Sequence, residues 1–270
     1  MIDLYLSMIK RYKQFAPLLI SDFETDQWQH PAHKHNHYEL IYIKHGSGSH
    51  VINSVPVNYN QGNVFLIGPE EEHYFVVTTE TRFIYMKFTD VYIHQTDLSY
   101  TKGLQYLEYL IKSRETHQSG FKLIPQDQIT LDLIYAVILS FSHDKLQNEQ
   151  LIWIQLLTLA TILQRNMPEV QINANRTKDI QAVFCYIHKY IYAPEHLKAA
   201  VIAEHFNLSK DYIGPYFKRH TGITLRNYIS EYRNNLIRQR MDSGRFSLKQ
   251  IAAEFGLIDE SHVSKLLKQV

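Results

Sequence analysis

The sequence holds a single cysteine, Cys185, in 270 residues. An internal disulfide is therefore excluded, and one free thiol fits a reducing cytoplasm. Cys185 falls in an apolar helical pattern with Ile180, Val183, Phe184 and Ile187, so its expected role is packing. Long apolar runs are lacking too. The most apolar stretch, Leu151 to Leu163, is too short to span a bilayer and contains Gln155 and two threonines, so no membrane partner is expected. Residues 1–17 are amphipathic and broken by Asp3, Lys10 and Arg11, which is unlike a secretory leader. Net charge is also nearly absent, with 28 Lys+Arg against 27 Asp+Glu, and the total points to no polyanionic partner. The distribution says more. Residues 177–270 carry 14 Lys+Arg and 9 Asp+Glu, leaving 14 against 18 for the rest, so only the C-terminal part has a basic excess. A soluble, cytoplasmic protein is expected.

What is present begins near the C-terminus, where one pattern is written twice. Ile202-Ala203 and Phe206 precede Asn207-Leu208-Ser209, and Ile251-Ala252 and Phe255 precede Gly256-Leu257 and Asp259. Each copy reads as a short helix and a turn at a residue tolerant of a left-handed backbone. A polar N-cap and a second helix follow. That is the helix-turn-helix pattern. Between the copies, Leu225, Tyr228, Ile229, Tyr232, Leu236, Ile237 and Met241 follow helical spacing, bracketed by Gly222 and Gly244. A helix of that length, about 25 Å, would place two recognition helices about one DNA turn apart.

These residues resemble a family. The doubled unit, with Ala203-Glu204, Leu208-Ser209, Phe217-Lys218-Arg219-His220-Thr221-Gly222 and a linker helix carrying Arg233 and Arg238, is similar to the DNA-binding domain of AraC/XylS-type transcription regulators. The resemblance spans residues 177–270 and implies a regulator that binds double-stranded promoter DNA, usually as a dimer, with RNA polymerase as a further partner. The expected DNA contacts are Ser209, Lys210, Asp211, Tyr212, Lys218 and Arg219 in the first unit. In the second they are Ser261, His262, Lys265 and Lys268. Two departures stand out. Gly214-Pro215 lies on the first recognition helix, so that helix starts late, is kinked, or reads its groove weakly. The sequence also ends at Val270, before the closing helix that the family carries, which implies weaker DNA binding or more reliance on dimerisation.

From Tyr38 to Phe88 the pattern changes to short β-like runs separated by Gly46-Ser47-Gly48, Asn58 to Gly62 and Gly68-Pro69. Such runs suggest a sandwich or small barrel. His33, His35, Glu39 and Gly46 resemble the first cupin motif, and Gly62, Gly68-Pro69 and His73 the second. In metal-bearing cupins such residues hold iron or manganese, and alternation puts His33, His35, His37 and Glu39 on one face of an extended strand. Glu70 stands where those cupins carry Gly. Regulatory cupins of the AraC type keep the pattern without a metal. The expectation is therefore no metal and no cofactor, with a small-molecule effector held by His35, Glu39, Tyr42 and His73.

Three further helices are predicted around residues 104–111, 129–141 and 146–163. The whole reads as α+β: a cupin-like sensor barrel at 1–95, a helical dimerisation or support region at 96–165, a linker at 166–176 and an all-α double helix-turn-helix domain at 177–270. The favoured function is an effector-responsive, homodimeric transcription regulator, not an enzyme. A metal-dependent cupin enzyme and a degenerate relative acting through protein contacts are the alternatives.

Overall fold

The computed structural model describes residues 10–69, 71–95, 101–113, 120–167, 180–244, 246–261 and 263. The chain divides into two compact units, residues 1–96 with 117–168 and residues 97–116 with 169–270. Among the described residues no helix is long and apolar enough to cross a membrane.

The first unit is a rolled sheet of β1 (Lys10–Tyr12), β2 (Leu18–Thr25), β3 (His33–His35), β4 (Tyr38–Ile52), β5 (Val55–Asn60), β6 (Val64–Ile67) and β7 (His73–Phe88). The expected runs at 39–43 and 49–52 are the two halves of β4, and those at 74–77 and 83–88 lie in β7. These two long strands pair antiparallel from Tyr38↔Phe88 to Ile52↔His73. Their register slips between Ile43 and Gly48, around Gly46 at φ +101°. A bulge with a glycine in the left-handed region bends a ribbon. The first half of β4 accordingly takes β6 on its other edge and the second half takes β5. On its far side β7 pairs with β2, and with β3 at His33↔His73. The bent sheet closes round Ile41, Ile43, Ile52, Tyr59, Phe65, Phe75, Phe83 and Tyr85.

Helix α1 (Asp90–Gln95) follows the sheet, and α3 (Pro125–Phe141) and α4 (Glu149–Arg165) complete the unit. Pro125 opens α3 at the first turn, where its missing N–H costs nothing. Buried Asp127 accepts from Arg165 and Asn166, tying the start of α3 to the end of α4. Asp132 accepts from Tyr42 and from Lys44 Nζ (2.7 Å), anchoring α3 to the sheet.

The second unit holds α2 (Thr101–Lys112), α5 (Ile180–Lys189), α6 (Ala199–His205), α7 (Lys210–Thr221), α8 (Leu225–Asp242) and α9 (Leu248–Glu254). The 96–165 stretch read as one helical region is thus shared between the two units. Most of the 166–176 linker lies outside the described residues.

The two helix-turn-helix copies turn by the same bonds. Leu208 N–H donates to Ala203 O at 2.8 Å, and Leu257 N–H donates to Ala252 O at 2.8 Å. The Asn207 and Gly256 amides reach the carbonyls of Glu204 and Ala253. This pair of bonds needs a left-handed residue just past the helix, and Asn207 (φ 52°) and Gly256 (φ 60°) supply it. Helix α7 starts at Lys210 and runs through Pro215 to Thr221, so a late start is not how the proline is accommodated. Ile202, Phe206, Ile213, Phe217, Leu236, Ile237, Ile251 and Phe255 pack into one core.

A buried polar cluster fastens α2 to this unit. Arg240 on α8 makes a forked pair with Glu108 on α2 (2.7 and 2.9 Å) and also binds Glu254 on α9 (3.0 Å). The Tyr192 hydroxyl donates to Glu108, and Gln105 Nε2 donates to Glu254 (3.2 Å).

Candidate functional site

The histidine and glutamate residues singled out from sequence meet at the inner face of the first unit. His35 ends β3, the chain turns at Asn36-His37, and β4 begins at Tyr38, so this stretch is not one continuous strand. The turn still brings His35, His37 and Glu39 together, with ligand atoms within 4.8 Å of one another. His73 enters from β7. His35 Nε2 lies 3.1 Å from His73 Nε2 and 3.9 Å from Glu39 Oε2, and His73 Nε2 lies 3.6 Å from the same oxygen. On its far side His73 Nδ1 meets His50 Nε2 at 3.0 Å. His37 Nε2 and Lys87 Nζ reach Glu39 Oε1 at 3.1 and 2.8 Å.

The hydrogen bonds assign the tautomers. His35 Nδ1 lies 2.8 Å from the His37 carbonyl and must donate to it. Its Nε2 is then an acceptor, so His73 Nε2 donates to it and His73 Nδ1 accepts from His50. The three neutral rings form a chain of one polarity that leaves Glu39 Oε2 without a donor. Burial favours that neutral state. It pushes His35 down to about 4 and His73 to about 3 against the opposing pull of Glu39, and holds His50 well below its usual range. Burial alone would raise the Glu39 carboxyl. The hydrogen bond from His37 and the charge of Lys87 outweigh it and hold the group well below the carboxylate range.

A cavity of about 360 Å³ opens beside this cluster. Glu39, His73, His33 and His37 line it, with Gln14, Trp28, Tyr85 and Lys87, which the sequence reading did not include. Four of these residues carry a buried polar atom without a partner among the described residues: Gln14 Oε1, Trp28 Nε1, Glu39 Oε2 and Tyr85 Oη. Tyr42 does not belong here. It points to the opposite face of β4, stacks on Tyr135 at 4.9 Å and donates to Asp132, with burial and that carboxylate raising its hydroxyl. Its expected place among the effector contacts is corrected to an anchor for α3. His35 is fully buried, is not among the lining residues and meets His73 at 3.1 Å.

The donor set has the composition of a transition-metal site, imidazoles with a carboxylate. The Glu39 carboxylate is already paired with the Lys87 ammonium at 2.8 Å, so an ion held there would face that positive charge.

In the second unit Ser209, the N-cap residue of α7, and Lys210, Asp211, Lys218 and Arg219 on α7 are exposed. Tyr212 is half-buried and stacks on Tyr216 at 5.8 Å. In the second copy Ser261 is exposed and donates to Asp259 at 2.6 Å. His262, Lys265 and Lys268 lie outside the described residues.

Comparison with known proteins gives two family matches. The family described as "AraC-like ligand binding domain" matches residues 16–120, and that described as "Helix-turn-helix domain" matches residues 202–270. The HTH-type transcriptional activator RhaS of Salmonella schwarzengrund is 22% identical over 263 residues, covering 94% of this chain and 88% of its own length. Its Salmonella typhimurium counterpart matches with the same identity and coverage. Among solved structures, ToxT from Vibrio cholerae aligns over 94% of both chains at 13% identity and TM-score 0.34. The AraC-like activator CuxR aligns over 84% of this chain and 78% of its own at 14% identity and TM-score 0.34.

Proposed function

This chain belongs to the AraC-type transcription regulators, and from that premise we propose that it is a cytoplasmic homodimer whose cavity takes a small organic effector and whose two helix-turn-helix units read adjacent major grooves. It acts by binding, with no catalytic step. RNA polymerase is the partner of the DNA-bound form.

The effector assignment is carried by the four partnerless polar atoms. Each buried polar group left without a hydrogen bond costs about 1–3 kcal/mol. Finding Gln14, Trp28, Glu39 and Tyr85 around one cavity is the pattern of a site whose ligand supplies the missing bonds. Glu39 and His73 are contacts from the original set, and His35 holds His73 in place.

For DNA, the exposed start of α7 offers Ser209, Lys210 and Asp211 to base edges, and Lys218 and Arg219 to phosphates. In the second copy Ser261 takes the corresponding part, with His262, Lys265 and Lys268 as further contacts. Tyr212 contributes mainly by packing. The 18 residues of α8 give it a length of about 27 Å, close to one turn of duplex between units. For dimerisation, Ile129, Leu133 and Val137 expose an apolar stripe at four-residue spacing along α3, suited to a second copy.

The test is binding of the full chain to duplexes enriched from a randomised pool, across a salt series with unrelated competitor. Specific retention that weakens steeply with salt, and loses about one unit of salt slope in Arg219→Ala, is expected for a phosphate contact. Enrichment of no sequence at any salt would refute the DNA assignment.

A further inference from the structure

We propose that Lys87 is the resident cation of the cavity: its ammonium takes the role a metal ion's charge would have beside Glu39, and it closes the His35–Glu39–His73 set to divalent metals. The proposal concerns the same cavity as the effector but stands whether or not an effector is found.

The geometry of the set is that of ligands round an ion. His35 Nε2, His73 Nε2 and Glu39 Oε2 are 3.1, 3.6 and 3.9 Å apart. Ligands at about 2.0–2.1 Å from one metal lie about 3–3.5 Å from each other. The outer bond of His35 also matches: its Nδ1–H is held by the His37 carbonyl as in metal-bound imidazoles, whereas His73 would have to reverse its bond to His50 to free Nε2 for an ion. Beyond that proton, the charge opposes an ion, and one residue makes it so.

That residue is placed by the sheet. Lys87 on β7 is the direct cross-strand partner of Glu39 on β4, and its alternation partners Tyr85 and Phe83 belong to the inner core. Its ammonium lies 2.8 Å from Glu39 Oε1 and 4.9 Å from the centre of the Tyr85 ring, a second attraction that keeps it inside. Glu39 and Lys87 therefore cancel, and the histidines are neutral. A divalent ion bound at Oε2 would sit about 5 Å from Lys87, and at an effective dielectric near 20 that repulsion weakens binding by about four to five orders of magnitude. The Lys87 side chain is 29% exposed and can relieve part of it by swinging outward, which leaves at least about a hundredfold.

The pairing gives the carboxylate a divided role. Oε1 is committed to Lys87 and His37, and Oε2 remains as a hydrogen-bond acceptor for an organic ligand. Lys87 thus decides which class of ligand the cavity admits.

The experiment titrates cobalt(II) into untagged full-length protein, read by calorimetry and by the visible absorption of nitrogen- and oxygen-ligated cobalt. It uses wild type, Lys87→Met, and Lys87→Met combined with His35→Ala. The expected result is one equivalent bound by Lys87→Met at least about a hundredfold more tightly than by wild type, and lost when His35→Ala is added. Uptake that survives His35→Ala is surface background and is subtracted. The proposal is overturned if wild type loads one His35-dependent equivalent as tightly as Lys87→Met. It is equally overturned if Lys87→Met melts like wild type yet takes up no His35-dependent cobalt. Lys87→Gln replaces Lys87→Met if the methionine variant does not fold.

Discussion

Arg240→Met is expected to cost the helical unit more than any single truncation in its apolar core of similar size. Arg240 is 1% exposed and is the cation between two carboxylates, Glu108 and Glu254. Its removal leaves two buried negative charges facing each other, with the Tyr192 hydroxyl and the Gln105 amide as remaining donors. Breaking a buried pair from one side costs about 3–5 kcal/mol. The like charges left behind place this case at the upper end. Glu108→Gln is milder, about 2–3 kcal/mol, because Arg240 keeps Glu254 and one acceptor survives at position 108. In a unit of this size, 4 kcal/mol corresponds to a fall in Tm of about 15 °C. The assay is thermal and urea unfolding of the full chain by far-UV circular dichroism, with the cycle closed by Glu108→Gln/Arg240→Met. The double variant is expected to be less costly than the two singles summed by more than about 1.5 kcal/mol. A Tm for Arg240→Met within about 2 °C of wild type, or strict additivity, would refute the reasoning.

His188 is pushed down to about 4, chiefly by burial and further by Lys112. A histidine whose folded pKa lies below its unfolded value of about 6.5 is bound by more protons in the unfolded state, so stability is lost as pH falls through that window. Between pH 6.5 and 5 the wild type should lose about 1.6 kcal/mol relative to His188→Gln, measured by urea midpoints. Gly46→Ala would place a methyl 2.3 Å from Thr81 Oγ1 and 2.5 Å from the Glu80 carbonyl at φ +101°, so more than about 3 kcal/mol of barrel stability should disappear. Gly214→Ala meets nothing within 4 Å beyond its chain neighbours, but the gain in helix propensity of about 1 kcal/mol is opposed by the new β-carbon crowding the ring of Pro215, so the Tm of the helical unit should move little. Tyr42→Phe removes the bond to Asp132, which retains Lys44, and should lower barrel stability by about 1 kcal/mol in a denaturant melt.

What was legible in the sequence was local. A helix end that needs a left-handed residue announces itself as Asn207 or Gly256, and two such ends at matching places in an apolar pattern disclose the doubled unit. The histidine cluster was legible for a partly wrong reason. Simple alternation gathered His35, His37 and Glu39, but a turn at residues 36–37 does so in fact. Tyr42 was misplaced although parity argued against it: in one strand, residues three apart lie on opposite faces. Lys87 could not be found without the register that sets it opposite Glu39, and Gln14 and Trp28 reach the cavity from a stretch with no recognisable motif. Glu108 and Arg240 are 132 positions apart, and nothing near either one foretells the other.

That separation has a consequence for synthesis. The chain makes α2, then leaves it to build α3 and α4, and returns to its partners only when α8 and α9 have emerged. At about 5–20 residues per second, Glu108 waits roughly 7–26 s for the arginine that neutralises it. The nascent barrel is complete in sequence long before the reader is, while the first piece of the reader is already attached to it. Order of manufacture therefore gives the sensor its shape first and the DNA-binding unit its last bond at the very end, and a ribosome stalled before residue 240 would release a sensor trailing an unmatched helix.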